Sequence, residues 1–249
     1  MKMITHYANL ELRTLSIQGV KQFYEKALHL EITNETTDFI QFRLTPYSTL
    51  SFKESYEPIK PAHFAIQVSY QSFTNAVTLL KESGVFLLAQ NEENPIDEHN
   101  GRKNVYFRDC DGHLLELIAH DYIHENKLKG YGKLNALYIR EIGFPVKDVG
   151  KFRSWLKENF NMKTVEDNDY FNFVIGGTAY TVVVSEKRPW IPIAMKALPP
   201  NIKVTLGTPF TLTDSNQCFV WHDYQLSLVH TPEFQHSILQ DLRLPPVCY

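Results

Sequence analysis

Apolar residues along this chain switch repeatedly between a period of two and a period near 3.6. Asn9–Thr14 alternates as a half-buried strand does, and the next stretch places Ile17, Val20, Phe23, Tyr24, Ala27 and Leu28 on one helical face. Strand-like runs follow at Asp38–Leu44 and Tyr47–Phe52, and Pro58 and Pro61 punctuate the chain. The order then recurs. His63–Ser69 predicts a strand, and Ser72 caps a helix whose stripe is Phe73, Ala76, Val77 and Leu80. Gly84 ends that helix, and strands are expected at Val85–Ala89, Lys103–Arg108 and Leu114–Ala119. One strand, one helix and two or three strands thus form a unit, used twice at a spacing of roughly fifty-five residues.

Asp121–Lys133 is polar and ends in Gly130-Tyr131-Gly132, which marks a linker. The unit starts a third time with a strand at Leu137–Val146. Asp148 then caps a helix carrying Val149, Phe152, Trp155, Leu156 and Phe160, and strands follow at Lys163–Val165, Tyr170–Ile175 and Thr178–Val184. A fourth copy is partial: Pro189, Pro192, Pro199 and Pro200 forbid a regular helix where one is due, and two strands remain, Gln217–Trp221 and Gln225–Val229. The expected organisation is a first domain at 1–125, a linker at 126–133, a second domain at 134–231 and a tail at 232–249. The tail carries a short helix candidate at Phe234–Leu242 and is apolar enough to pack on this chain or on a second subunit.

Composition narrows the class. With 249 residues, 43 % hydrophobic and 21 % charged, the chain reads as a soluble globular protein. A net charge of −3 without a basic block argues against nucleic acid or an anionic membrane as partner. No apolar run reaches the length of a membrane span. Cys110, Cys218 and Cys248 are scattered and odd in number, so reduced thiols and a cytoplasmic location are expected.

The candidate chemistry centres on 104–120, NVYFRDCDGHLLELIAH, which reads as two strands joined by a turn at Asp111-Gly112. Glu116 sits in the middle of its apolar second strand. A carboxylate there is costly to desolvate unless it is paired or bound to a metal. His63 opens the first strand of the same unit, and an imidazole with a carboxylate on facing strands suits Mn, Fe, Co or Ni. Tyr106 and Arg108 share a strand face. The polar loop 91–103 is long enough to cover a site, with His99, Arg102 and Lys103 as its candidate contacts.

The repeated units, "HFAIQV" opening one and "YFRDCDGHLLELI" closing it, resemble the vicinal oxygen chelate superfamily of glyoxalases, fosfomycin-resistance thiol transferases, extradiol dioxygenases and bleomycin-binding proteins. The resemblance covers Asn9 to His120 and, more weakly, Ala136 to Ser185. It implies an α+β fold of tandem βαβββ units in curved mixed sheets, with two such domains, the second degenerate. It also implies a divalent metal (Fe, Mn, Ni, Co or Zn), with His63 and Glu116 similar to two of its ligands. The family's third ligand is a first-strand His, and a gapless count back from Phe23-Tyr24 puts Asn9 there. His6, three residues earlier, points to the other face of a regular strand and reaches the site only through a bulge or a shifted register.

By the same resemblance Tyr106 is a substrate hydrogen-bond donor or acid, while Arg108, His99 and Arg102 are candidate substrate contacts by position alone, and Arg108 can instead pair with Asp109 or Asp111 at the surface. The second domain offers no ligand set, its comparable positions lying near Ile142-Gly143 and Ser227. Two functions remain open. One is a metal-dependent dioxygenase, lyase or thiol transferase acting on a small oxygen-chelating substrate. The other is a metal-free binding or sequestration protein, and a homodimer is compatible with both.

Overall fold

The computed structural model describes residues 3–89, 94–125, 128–164, 168–212, 217–234, 238, 239 and 242. Val165, His236, Cys248, residues 91–93 of the polar loop, 126 and 127 of the linker and most of the tail lie outside the described residues.

The first unit is β1 (His6–Thr14), a helix that starts as α1 (Ile17–Val20) and continues with π winding over Lys21–Ala27, then β2 (Glu31–Glu35), β3 (Phe39–Thr45) and β4 (Ser48–Glu54). The second is β5 (His63–Val68), α2 (Phe73–Glu82), β6 (Leu87–Leu88), β7 (Asp97–His99), β8 (Arg102–Arg108) and β9 (Leu114–His120). The third is β10 (Ala136–Val146), α3 (Val149–Phe160), β11 (Lys163–Thr164), β12 (Phe171–Gly176) and β13 (Ala179–Ser185). A short hairpin, β14 (Pro189–Trp190) with β15 (Met195–Lys196), precedes the strands of the fourth, β16 (Ile202–Thr208), β17 (Cys218–Trp221) and β18 (Tyr224–His230).

Local chemistry sets several boundaries. Asp148 caps α3 by accepting a hydrogen bond from the Lys151 amide at 2.9 Å, and Asn161 ends it in the left-handed conformation. The β8–β9 turn uses Gly112 at φ +81° and is held by Asp109, which accepts from the amides of Asp111 and His113. The prolines lie in the connection leading into β16 rather than in place of a helix. The alternation of Ile202, Val204 and Leu206, buried on one face, makes β16 a strand that the proline pattern hides.

The units pair across the chain. A seven-stranded mixed sheet runs β17-β18-β16-β1-β4-β3-β2, and a second sheet runs β11-β12-β13-β10-β5-β9-β8-β6 with β7 on β8. A division at 126–133 groups the first unit with the second; hydrogen bonding joins the first with the fourth and the second with the third. At the seams β1 runs antiparallel to β16 and β5 antiparallel to β10.

The main core takes one face of each sheet and the helices between them: Leu10, Leu12, Phe64, Ile66, Val68, Phe73, Ile139, Phe144, Phe152 and Val204 all belong to it. Each such side chain contributes roughly 1.5–3 kcal/mol by leaving water. Because β5 gives Phe64, Ile66 and Val68 to that core, His63, Ala65 and Gln67 point to the opposite face of the second sheet. That face carries the candidate site.

Candidate metal centre

His63 and Glu116 reach one another because β5 and β9 run parallel and adjacent, with Ala65 paired to Glu116. The His63 Nε2 stands 3.8 Å from Glu116 Oε2, and both side chains are only 5 % exposed. The third member is Glu141, from β10 of the next unit: one ligand atom each of His63, Glu116 and Glu141 lie within 4.8 Å of one another.

Glu141 is on this face because β10 is irregular. Its register against β5 slips between Ala136 and Tyr138 and again between Ile139 and Glu141. At the second slip Arg140 is the extra residue, so Ile139 pairs with Ile66 on the core side while Glu141 pairs with Ala65 on the site side. Counting without gaps lands on Ile142 and Gly143 instead. The sequence reading did not single out Glu141, which lies one position from Ile142 and stands beside His63 and Glu116 because of the bulge.

The donor set fits a divalent cation. His63 Nδ1 lies 3.1 Å from the Leu114 carbonyl, to which its N–H donates, so Nε2 carries the lone pair that faces the carboxylates. Burial holds the imidazole pKa down at about 4, and it stays neutral as a ligand must. Burial and the neighbouring Glu141 charge push the Glu116 carboxyl well above its usual range, and burial likewise raises Glu141. Two carboxylates that resist ionisation beside each other are what a cation between them relieves.

Tyr106 lies directly across β8 from Glu116 and presents its hydroxyl to that carboxylate. Burial, with the Glu116 charge, raises its pKa far above neutrality, so it acts as a hydrogen-bond donor. On the other side Trp190 of the β14–β15 hairpin packs on the His63 ring at 4.8 Å. The approach is possible because residue 143 is glycine: a Cβ there would lie 2.6 Å from Trp190 Cη2. Leu114, Val182, Val184 and Ala197 complete an apolar surround. Trp190 carried no signal in the sequence beyond its place in the proline-rich stretch.

Of the other predicted residues, Arg102 stands near enough for its charge to act on Glu116 and Tyr106, and the rest fall elsewhere. Asn9 stands on the first sheet, where its Oδ1 accepts from Thr49 and Ser51, both at 2.8 Å. It does not join His63 and Glu116. His6 is buried on the same sheet with Nδ1 2.8 Å from Thr5 Oγ1 and Nε2 3.1 Å from the Tyr47 carbonyl, so both nitrogens are occupied. Arg108 is exposed at the end of β8; His99 is exposed at the β7–β8 turn; Arg102 pairs with Asp97 at 3.0 Å.

Asp109, Asp111 and His113 also lie close together. Their groups are consumed by the turn: Tyr24 donates to Asp109 Oδ2 at 2.8 Å, His113 Nδ1 accepts from the Ala62 amide, and Nε2 lies 3.2 Å from the Arg13 carbonyl. Cys110 and Cys218 are free. Among the described residues no helix is long and apolar enough to cross a membrane.

Neither a family model nor a curated protein matches the sequence. Solved structures do match. The chain has the vicinal oxygen chelate fold, with three units of strand, helix and strands and, among the described residues, a fourth that keeps its strands alone. A "putative dioxygenase" from Bacillus subtilis superposes over 98 % of this chain and 91 % of its own, with a TM-score of 0.66 and 12 % identity. A glyoxalase/bleomycin resistance protein/dioxygenase from Nocardioides covers 48 % of this chain and 84 % of its own (TM-score 0.39, 18 % identity). A lactoylglutathione lyase from Agrobacterium tumefaciens covers 45 % and 90 % (TM-score 0.38, 16 % identity). At these identities the likeness is one of fold.

Proposed function

We propose that this protein is a metal-dependent enzyme acting on a small oxygen-chelating substrate, with His63, Glu116 and Glu141 holding one divalent ion. The observation that supports it is the convergence of one oriented imidazole and two ionisation-resistant carboxylates, from three strands of two units, on a single buried point. When bound, the ion supplies Lewis acidity to the substrate oxygens that chelate it. Of Mn, Fe, Co, Ni and Zn, a set of one nitrogen and two oxygen donors suits the harder members of the series best.

The chain's own residues do the rest. The Leu114 carbonyl fixes the His63 ring, the apolar surround excludes water, and the Tyr106 hydroxyl, held protonated, donates to Glu116 or to a substrate oxygen placed beside it. A divalent ion with positions open to substrate oxygens would serve a dioxygenase, a lyase or a thiol transferase. The test is elemental analysis of protein purified without chelator or affinity metal, beside His63→Ala and Glu141→Gln. Near-stoichiometric metal in the parent, lost from both variants, is expected. A metal-free protein that added Mn, Fe, Co, Ni or Zn neither enters nor stabilises would replace this reading with that of a binding or sequestration protein.

A further inference from the structure

The bulge that delivers Glu141 also turns Arg140 onto the site face and buries it. Its side chain is 5 % exposed, an unusual place for a guanidinium without a carboxylate fork. Nη1 donates to Gln67 Oε1 at 3.3 Å and Nη2 to the Tyr122 hydroxyl at 2.9 Å, both neutral acceptors. The guanidinium lies over the Tyr180 ring at 4.1 Å. Its Nε is buried without a hydrogen-bond partner, 3.8 Å from Glu141 Oε1, and the neighbouring Tyr138 hydroxyl is likewise buried and unpartnered.

The surroundings keep this pocket cationic. His120, which shares Gln67 Oε1 at 3.0 Å, has its pKa lowered to about 3 by burial and by the nearby arginines, so it adds no charge. Glu141 is the only carboxylate within 4 Å of Arg140 among the described residues. If Glu116 and Glu141 neutralise a divalent ion, Arg140 is left as an uncompensated buried positive charge.

We infer that the substrate is an anion: a metal chelator that also bears a carboxylate, seated on the free donors of Arg140 and Tyr138 beside the metal. This rests on the metal-centre reading above and narrows it to a class of substrate. An ionised carboxylate would accept from Arg140 Nε and from the Tyr138 hydroxyl, satisfying both orphaned donors and balancing the charge. A neutral chelator would leave all three costs standing.

The test uses the full chain loaded with Mn and measures binding by calorimetry of catechol, 2,3-dihydroxybenzoate and 3,4-dihydroxybenzoate, with metal content determined on each sample. One of the two carboxylated probes is expected to bind roughly tenfold to hundredfold more tightly than catechol. Arg140→Met should erase that preference, read as the ratio of carboxylated-probe to catechol affinity on the same metal-loaded sample, and Arg140→Lys should restore part of it. A metal-loaded parent that binds all three probes equally overturns this inference and leaves the metal centre intact. A parent that takes up no metal overturns both. The parent comparison decides the matter even if Arg140→Met does not fold.

Discussion

Glu116→Gln should stabilise the metal-free protein and destabilise the metal-loaded one. In the absence of metal, Glu116 and Glu141 are buried with ligand oxygens within 4.8 Å of each other. At that separation and an effective dielectric of about 20, two charges repel by about 3.5 kcal/mol. The protein escapes by protonating one of them, which at pH 7 costs a carboxyl of ordinary pKa 4.5 about 3.4 kcal/mol. Both routes cost nearly the same, so the strain is real whichever is taken. Attraction from Arg102 and Arg140 and the hydroxyl of Tyr106 offset part of it, leaving about 2–3 kcal/mol to be recovered by the amide.

For a chain of this size that corresponds to a rise of roughly 4–12 °C in Tm, read by calorimetry in EDTA at pH 7. The gap should shrink as pH falls toward 4.5. A carboxyl raised in the folded state contributes stability that is present below its unfolded pKa and lost as pH rises through the folded one. With metal at a thousand times its Kd the parent gains about 4.1 kcal/mol that the variant does not, and the order reverses. A variant less stable than the parent in EDTA would refute the reasoning, because it would mean that Glu116 is satisfied without a cation.

Two further predictions concern the frame around the site. Gly143→Ala places a Cβ 2.6 Å from Trp190 Cη2 and 2.8 Å from its Cζ2; a loss of about 1–3 kcal/mol is expected, together with a change in tryptophan emission, and a Trp190→Ala background should abolish most of that cost in a double-mutant cycle. His6 titrates at about 4 rather than 6.5 because it is buried. The unfolded chain therefore takes the proton first, and stability is lost as pH falls from 6.5 to 4, by about 3 kcal/mol for this group. His6→Phe, which keeps the stacking on Phe234, should flatten the stability–pH curve by that amount; an unchanged slope in urea titrations would count against a neutral buried imidazole.

Much of the fold could be read from the chain because its signals are local. The 3.6-residue stripes of α2 and α3, the Asp148 cap and the Asp111-Gly112 turn each depend on neighbours in sequence. His63 and Glu116 were legible for a similar reason: a charged or polar residue interrupts an apolar strand, and the conflict is visible without a structure. Glu141 was not. It depends on a register slip at Arg140, and a bulge leaves no mark in hydrophobic periodicity except an alternation that fails. Asn9 shows the converse: a position counted correctly along one strand belongs to a sheet that the metal residues do not share. The pairing of β1 with β16 was hidden because the proline-rich approach masked a strand, and no local signal specifies a partner about two hundred residues away.

That long seam has a consequence for how the protein is made. Strands β5 to β13, which carry His63, Glu116 and Glu141 of the proposed metal site, occupy residues 63–185 and complete their sheet from a continuous stretch of chain. β1, by contrast, must wait for β16, a pairing extended by the Thr5 amide donating to the Gly207 carbonyl at 2.9 Å, about two hundred positions apart. During synthesis the first sixty residues therefore emerge as a half-sheet with an unpaired edge carrying Leu10 and Leu12, and that edge stays open until the last fifty are released. Closure is slow by topology, and it falls on the sheet that holds no ligand. A chain of which residues 1–200 alone have emerged would display a finished second sheet, with its proposed metal site, tethered to an aggregation-prone edge.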